Sequence, residues 1–249
     1  MPSREELTKS REILTAAALR VRVDASSPNP DILLSAARII RQGGIVAYPT
    51  ETFYGLGADP FSEAAIDRLR RIKNAPAGRP FILIVSRAEK AHDFCDLAGS
   101  SRIWFGLLAR AFWPGPLTLV LPSSRAGMEC PAAGGARSLA VRVSSHPLAL
   151  QLCRSAGGAI TSTSANRAGE TPPRSAEAID AGLAGQIDLT LDAGASGGDR
   201  PSTILDISGP RPTVIRQGVV SVEAITAALG FMPHGTGNQE ISNHVSNLP

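Results

Sequence analysis

The chain is predicted to fold as an α/β sheet domain, and three observations carry that expectation. Segments with apolar residues at helical spacing alternate with short apolar runs bounded by Gly, Pro and Ser. No internal repeat and no Gly/Ser-rich linker divides the middle of the chain. A length of 249 residues with 43% hydrophobic content is enough for one full core, since folding at that size buries roughly 70–75% of the unfolded surface.

The elements follow in order. Asn29-Pro30 caps and opens a helix with Ile32, Leu33, Ala36 and Ile39 on one face, stopped by Gly43-Gly44. Ile45 to Tyr48 reads as a buried strand ending at Pro49. Ser62 caps a helix on which Ile66, Leu69 and Ile72 recur at helical spacing. Phe81 to Val85 is a short strand, and Ser101 to Phe112 is a helix stopped by Pro114. Strands are then expected at Leu117–Leu121, Leu139–Val143, Ala159–Thr161, Ile187–Leu191, Thr203–Ile207 and Val214–Arg216. Helices at Pro147–Ser155 and Ser175–Leu183 fall between them. The sheet domain is expected over 28–230, preceded by an extension over 1–27 with a helical leader (Ser3 to Leu19). A polar tail over 231–249 has too few apolar residues to form core and is expected to be flexible.

Composition narrows the function. Hydrophobic content of 43% with charged content of 19% excludes a disordered chain, and no apolar run is long enough to span a membrane. Glu5, Glu6 and Glu12 sit where a secretory signal would carry only basic and apolar residues. Cys95, Cys130 and Cys153 are odd in number and far apart, which fits reduced thiols in a cytoplasmic protein. The net charge of +3 permits anionic ligands without demanding nucleic acid, and seven Phe, two Tyr and two Trp argue against a stacking surface for single strands.

Neither a phosphate loop ending in Gly-Lys-Ser/Thr nor a dinucleotide fingerprint is present. Gly194-Ala195-Ser196-Gly197-Gly198 fits a nucleophile elbow, with Asp206 and His234 in hydrolase order. That motif requires a helix directly after the serine, whereas Asp199-Arg200-Pro201 leads towards a strand, so loop glycines are the better reading. Four strand-end clusters carry more. Pro49-Thr50-Glu51-Thr52-Phe53-Tyr54-Gly55-Leu56-Gly57 follows a buried strand, where α/β sheets bind ligands, although it also reads as a turn with two satisfied threonines. Trp113-Pro114-Gly115-Pro116-Leu117-Thr118 reads as a rigid structural turn. Arg142 interrupts the apolar strand Ser138-Leu139-Ala140-Val141-Arg142-Val143, and a guanidinium there needs a carboxylate or phosphate ligand, or an internal Asp or Glu. Thr161-Ser162-Thr163-Ser164-Ala165-Asn166 offers neutral donors suited to an anion.

Together and in this order, these clusters resemble the YrdC-like threonylcarbamoyl-AMP synthase family, with Pro201-Ser202-Thr203-Ile204 and Ile215-Arg216-Gln217-Gly218 completing the set. The resemblance covers about Ile32 to Gly218. It implies a single domain with a strongly twisted mixed β-sheet, flanking helices and a concave basic cavity, without the extra C-terminal domain of longer members. It implies an enzyme that joins L-threonine, bicarbonate or carbon dioxide, and ATP into threonylcarbamoyl-AMP with release of pyrophosphate. A partner transferase complex then modifies adenosine in tRNA, and direct contact with tRNA or double-stranded RNA is a further expectation. No membrane partner is expected.

The resemblance places Thr52, Arg142, Ser162 and Ser202 around threonine, where the planar fork of Arg142 suits a carboxylate. It places Ser138, Ser164, Asn166 and Arg216 around the nucleotide, with Lys73 beside the phosphates. Lys73 and Arg142 are thus the expected catalytic residues, and no metal-ligating side chain is assigned. Mg2+ is expected to be bound mainly through phosphate oxygens and water. Two positions depart from the family pattern. The usual Lys-x-Arg reads Lys73-Asn74-Ala75, and Arg79 or Arg71 is the candidate replacement, Arg79 being taken as ATP-binding. Ile84 stands where longer members carry a histidine. The competing readings are a related carbamoyl-adenylate former or a drifted paralogue, and an RNA-binding module.

Overall fold

The computed structural model describes residues 19–179 and 181–235. Eleven strands are found among the described residues, β1 (Leu19–Arg22), β2 (Val46–Pro49), β3 (Tyr54–Gly57), β4 (Leu83–Val85), β5 (Leu117–Pro122), β6 (Ser138–Arg142), β7 (Ala159–Thr161), β8 (Thr163–Ser164), β9 (Leu189–Asp192), β10 (Thr203–Asp206) and β11 (Thr213–Arg216). They form two mixed sheets, one ordered β1-β9-β2-β3-β8 and the other β11-β10-β5-β6-β4-β7. The helices are α1 (Pro30–Arg41), α2 (Glu63–Lys73), α3 (Gly99–Phe112), α4 (Arg125–Glu129), α5 (Pro147–Ser155), α6 (Ala181–Ala184) and α7 (Val222–Leu229).

Local chemistry explains where the helices begin. The Asn29 side chain accepts the Asp31 N–H ahead of α1, Pro30 occupies the first turn, and Arg38 and Arg41 sit at the negative end of the helix dipole. Ser62 accepts the Ala65 N–H to start α2, and Asn74 ends it in the left-handed region at φ 48°. The buried face of α2 carries Ile66, Leu69 and Ile72, as their spacing predicts. Truncating a fully buried side chain such as Leu69 would cost about 2–5 kcal/mol.

Strand alternation then sorts the core. In the six-stranded sheet Leu119 pairs with Val141 and faces the main core, with Leu83, Leu139 and Leu205. The next pair, Val120 and Ala140, points the other way and joins Ile82, Ile204 and Ile215 in a small separate apolar patch. A second core lies between α1, α5 and the five-stranded sheet, with Leu33, Ile40, Leu152, Val46 and Leu189. At one run the chain passes directly from a strand of one sheet to a strand of the other. β7 pairs with β4 in one sheet and β8 with β3 in the other, so the chain changes sheets at Ser162. There the Ser162 N–H donates to the Ile82 carbonyl and the Ala165 N–H to that of Tyr54.

Several local expectations change. The leader falls outside the described residues except for Leu19, which begins β1 and pairs parallel with β9. The sheet thus takes in residues of the 1–27 segment. The turn-like Pro49–Gly57 run contains a strand, β3, antiparallel to β2. The helix expected at Ser175–Leu183 is reduced to α6, because the Ser175 hydroxyl accepts the Ala178 N–H and closes a local turn instead. At the other end His234 makes a parallel bridge to Thr213, donating to Pro212 and accepting from Val214. The tail therefore docks as far as this bridge, and 236–249 lie outside the described residues.

Trp113-Pro114-Gly115 is structural as expected: the indole N–H donates to the Leu117 carbonyl at 2.6 Å and the ring meets Phe105 edge-on. Cys95, Cys130 and Cys153 are free, buried thiols, each with its pKa raised by burial. No helix among the described residues is long and apolar enough to cross a membrane.

Candidate functional site

The small apolar patch of Ile82, Val120, Ala140, Ile204 and Ile215 has polar neighbours. An open cleft lies where the two sheets meet, with about 560 Å3 of empty space, part of it open to solvent. Its walls include Thr52, Arg142, Ser162, Ser164, Ser202 and Arg216, six of the residues expected from sequence, together with Thr50, Tyr54 and Ile82. Four of those six sit at strand ends or at the sheet change, so the backbone fixes where each side chain starts.

The turn from β2 to β3 is closed by its own hydroxyls. Thr50 Oγ1 donates to the Phe53 carbonyl at 2.7 Å, accepts the Thr52 N–H and lies 3.0 Å from Thr52 Oγ1. The turn is satisfied by its own hydroxyls, and Thr50 and Thr52 both line the cleft. The loop after β9 presses on the same turn. A Cβ at Gly198 would lie 2.7 Å from the Glu51 carbonyl oxygen and 2.8 Å from the Thr52 Cα, so only glycine permits that approach. No helix follows Ser196, whose hydroxyl donates to the Arg174 carbonyl, so the nucleophile-elbow match is a loop, as expected.

Arg142 has an internal partner. Its Nη1 lies 3.0 Å from Glu51 Oε1, the two side chains being 5% and 13% exposed, and 3.5 Å from Thr52 Oγ1. The contact with Glu51 is an ion pair without hydrogen-bond alignment, since Glu51 Oε1, like Arg142 Nε, is buried with no hydrogen-bond partner. The other Glu51 oxygen accepts from the Ser144 hydroxyl, which in turn accepts the His146 N–H. Of the alternatives open from sequence, the internal carboxylate is therefore present. Arg216 donates from Nε and Nη2 to the Ser202 carbonyl at 3.2 and 3.1 Å, and Ser202 Oγ meets Thr118 Oγ1 at 2.9 Å. Burial, reinforced by the Arg142 charge, lowers Arg216 to about 10.

Lys73 stands behind the cleft rather than in its wall. Its ammonium donates to the carbonyls of Ser164 and Asn166 and meets Asn166 Oδ1 at 3.2 Å, so its three donors all have acceptors. Burial, helped by the nearby Arg79 charge and opposed by Glu170, lowers it to about 8. Arg79 is half-buried. Ala75 is held by its N–H to the Arg70 carbonyl at the end of α2. Ser138 and Asn166 also lie outside the cleft wall. Ile84 is fully buried beside Arg142 in the parallel β4–β6 register, within the second core.

Sequence reasoning missed Glu51, Ser144 and His146 as parts of this site. Glu51 carried a usable signal, being the one carboxylate in the Pro49–Gly57 run. Ser144 and His146 carried none, because their link to that turn exists only in three dimensions.

The family model for Sua5/yciO/yrdC, described as "Telomere recombination", matches residues 38–218. The chain is similar to a threonylcarbamoyl-AMP synthase of Bacillus subtilis (strain 168), 34% identical over 83% of this chain and 59% of that protein. One of the same name from Xanthomonas campestris pv. campestris (strain B100) is 40% identical over 71% of this chain and 93% of the relative. The crystal structure of P. abyssi Sua5 complexed with L-threonine superposes with a TM-score of 0.76 at 32% identity, over 87% of this chain and 62% of that one. E. coli YciO gives a TM-score of 0.70 at 27% identity, over 83% and 98%. The chain thus spans only about three fifths of the Bacillus and P. abyssi proteins.

Proposed function

The chain belongs to the Sua5/yciO/yrdC family, and from that premise we propose that it is a threonylcarbamoyl-AMP synthase. The observation that carries the reading is the convergence of Thr52, Arg142, Ser162, Ser164, Ser202 and Arg216 on one cleft between the sheets. L-threonine, bicarbonate or carbon dioxide, and ATP are the substrates. The threonine amine adds to carbon dioxide and loses a proton (from bicarbonate, one water leaves instead) to give a carbamate, whose oxygen attacks the α-phosphorus of ATP as the bond to the bridging oxygen breaks and pyrophosphate leaves.

Positioning and charge neutralisation supply most of such a rate enhancement. Arg142 takes the threonine carboxylate, with Thr52, Ser162 and Ser202 around the amino acid. Arg216 lies on the nucleotide side with Ser164, and Ser138 and Asn166 support that side from outside the cleft wall. Lys73 lends positive charge near the phosphates while it holds the Ser164–Asn166 backbone, and Arg79 adds a second charge close by. Among the described residues no group of three or more His, Cys, Asp or Glu side chains could hold a metal. Mg2+ would enter with the triphosphate, held mainly by phosphate oxygens and water.

The product is an activated mixed anhydride, so a transferase acting on tRNA is the partner that consumes it. A drifted paralogue is the second reading, favoured by Ala75 at the place of the family's arginine. One assay decides: pyrophosphate release from ATP and bicarbonate with threonine, with serine and with no amino acid. Threonine-dependent release supports the synthase, and release that ignores threonine overturns it.

A further inference from the structure

We infer that Glu51 is the positioning residue for Arg142, holding its guanidinium at the orientation in which the arginine receives a substrate carboxylate. The inference rests on the threonine reading of the cleft and goes beyond it, since Glu51 itself is absent from the cleft wall.

Four observations carry it. Glu51 lies on the turn between β2 and β3 of one sheet, and Arg142 ends β6 of the other, so their 3.0 Å ion pair ties the two sheets together behind the cleft. The carboxylate is anchored independently of the arginine, because its second oxygen accepts from Ser144, itself fixed by the His146 N–H ahead of α5. The pair engages only Nη1 of Arg142, and the residue still lines the cleft, so its guanidinium is not used up by Glu51. Finally, Thr52 follows Glu51 directly and faces Arg142 at 3.5 Å, so the same turn sets two groups around the amino acid.

A buried guanidinium without a counter-charge would be costly and would shift towards solvent. A flexible arginine would also lose affinity through the freedom it must give up on binding. Glu51 removes both problems. The neighbouring Arg216 has its own acceptor in the Ser202 carbonyl and no contact with Glu51, so the main effect falls on Arg142.

The test uses Glu51→Ala and Glu51→Gln in the parent and in Arg142→Lys. Threonine affinity is read by calorimetry, KM for ATP by pyrophosphate release, and the Arg142 guanidinium by spectra of 15N-arginine-labelled protein without substrate. Glu51→Ala is expected to abolish the restricted Arg142 signal and weaken threonine binding on the order of tenfold or more, with KM for ATP within about twofold. Glu51→Gln removes the counter-charge but keeps the side chain's bulk and a partner for Ser144, and should weaken the signal and the affinity less than Glu51→Ala does. In the Arg142→Lys background the loss caused by Glu51→Ala should largely vanish, because the two residues act as a unit. An unchanged Arg142 signal in Glu51→Ala overturns the inference. So does tighter threonine binding in Glu51→Gln, which would make Glu51 a brake on the arginine's charge. If the parent binds no threonine, the functional reading fails, and the guanidinium spectra alone decide the positioning role.

Discussion

Lys73, the last residue of α2, donates from its ammonium to the main-chain carbonyl of Asn166, tying a helix end to the run that joins the two sheets. With the Ser164 carbonyl and Asn166 Oδ1 as further acceptors, the lysine acts on the cleft through the backbone of its wall. A residue that the family resemblance sets beside the phosphates therefore has a structural task as well.

Lys73→Met keeps most of the apolar stem and deprives these acceptors of their donor. Each buried group left unsatisfied costs about 1–3 kcal/mol. Urea unfolding should show a loss of that order or more, together with a fall in pyrophosphate release. Unchanged stability would show that the acceptors find water instead.

Arg79 tests the missing arginine of the Lys-x-Arg pattern. Its charge already acts on Lys73, which places it near the same end of α2. Arg79→Ala should lower the adenylation rate about ten- to hundredfold, and Ala75→Arg in that background should recover part of the loss. An Arg79→Ala enzyme as fast as the parent would rule out compensation.

Gly198→Ala places a methyl group 2.7 Å from the Glu51 carbonyl oxygen and 2.8 Å from the Thr52 Cα. Neither contact can be relieved by turning a side chain, since both partners are main chain. The loop or the turn must move, costing about 1–3 kcal/mol as overpacking does. The expected kinetic sign is a raised KM for threonine, measured against KM for ATP as the internal control.

His146 gives a pH prediction. Burial lowers its pKa from 6.5, against an opposing pull from Glu51. Below 6.5 the unfolded chain then binds more protons than the folded one, so stability falls as pH drops from that value towards the folded pKa. It is constant above 6.5 as far as this residue is concerned. The urea midpoint between pH 7 and pH 5 should therefore decline less steeply in His146→Gln, and parallel curves for the two proteins would assign the acid sensitivity elsewhere.

Short-range pattern was enough for much of the molecule. Asn29-Pro30, Ser62 and the spacing of Ile66, Leu69 and Ile72 specify α1 and α2 because capping and helical periodicity act within a few residues. The short apolar run Leu139–Val143 likewise predicts β6 without reference to its partners, and the ordered motifs point to the residues that line the cleft. Tertiary structure alone decided the rest. β3 is hidden in a run of hydroxyls and glycines because β2 and β8, on either side of it, supply its hydrogen bonds, and backbone pairing leaves no local signature. From sequence, Arg142 could have faced a ligand or an internal acid. Glu51 meets it because β2–β3 and β6 lie in different sheets that approach at the cleft, a proximity set by packing between the sheets. Lys73 was read as a phosphate ligand, and its three carbonyl-type acceptors come from a turn that folding alone brings to the end of α2.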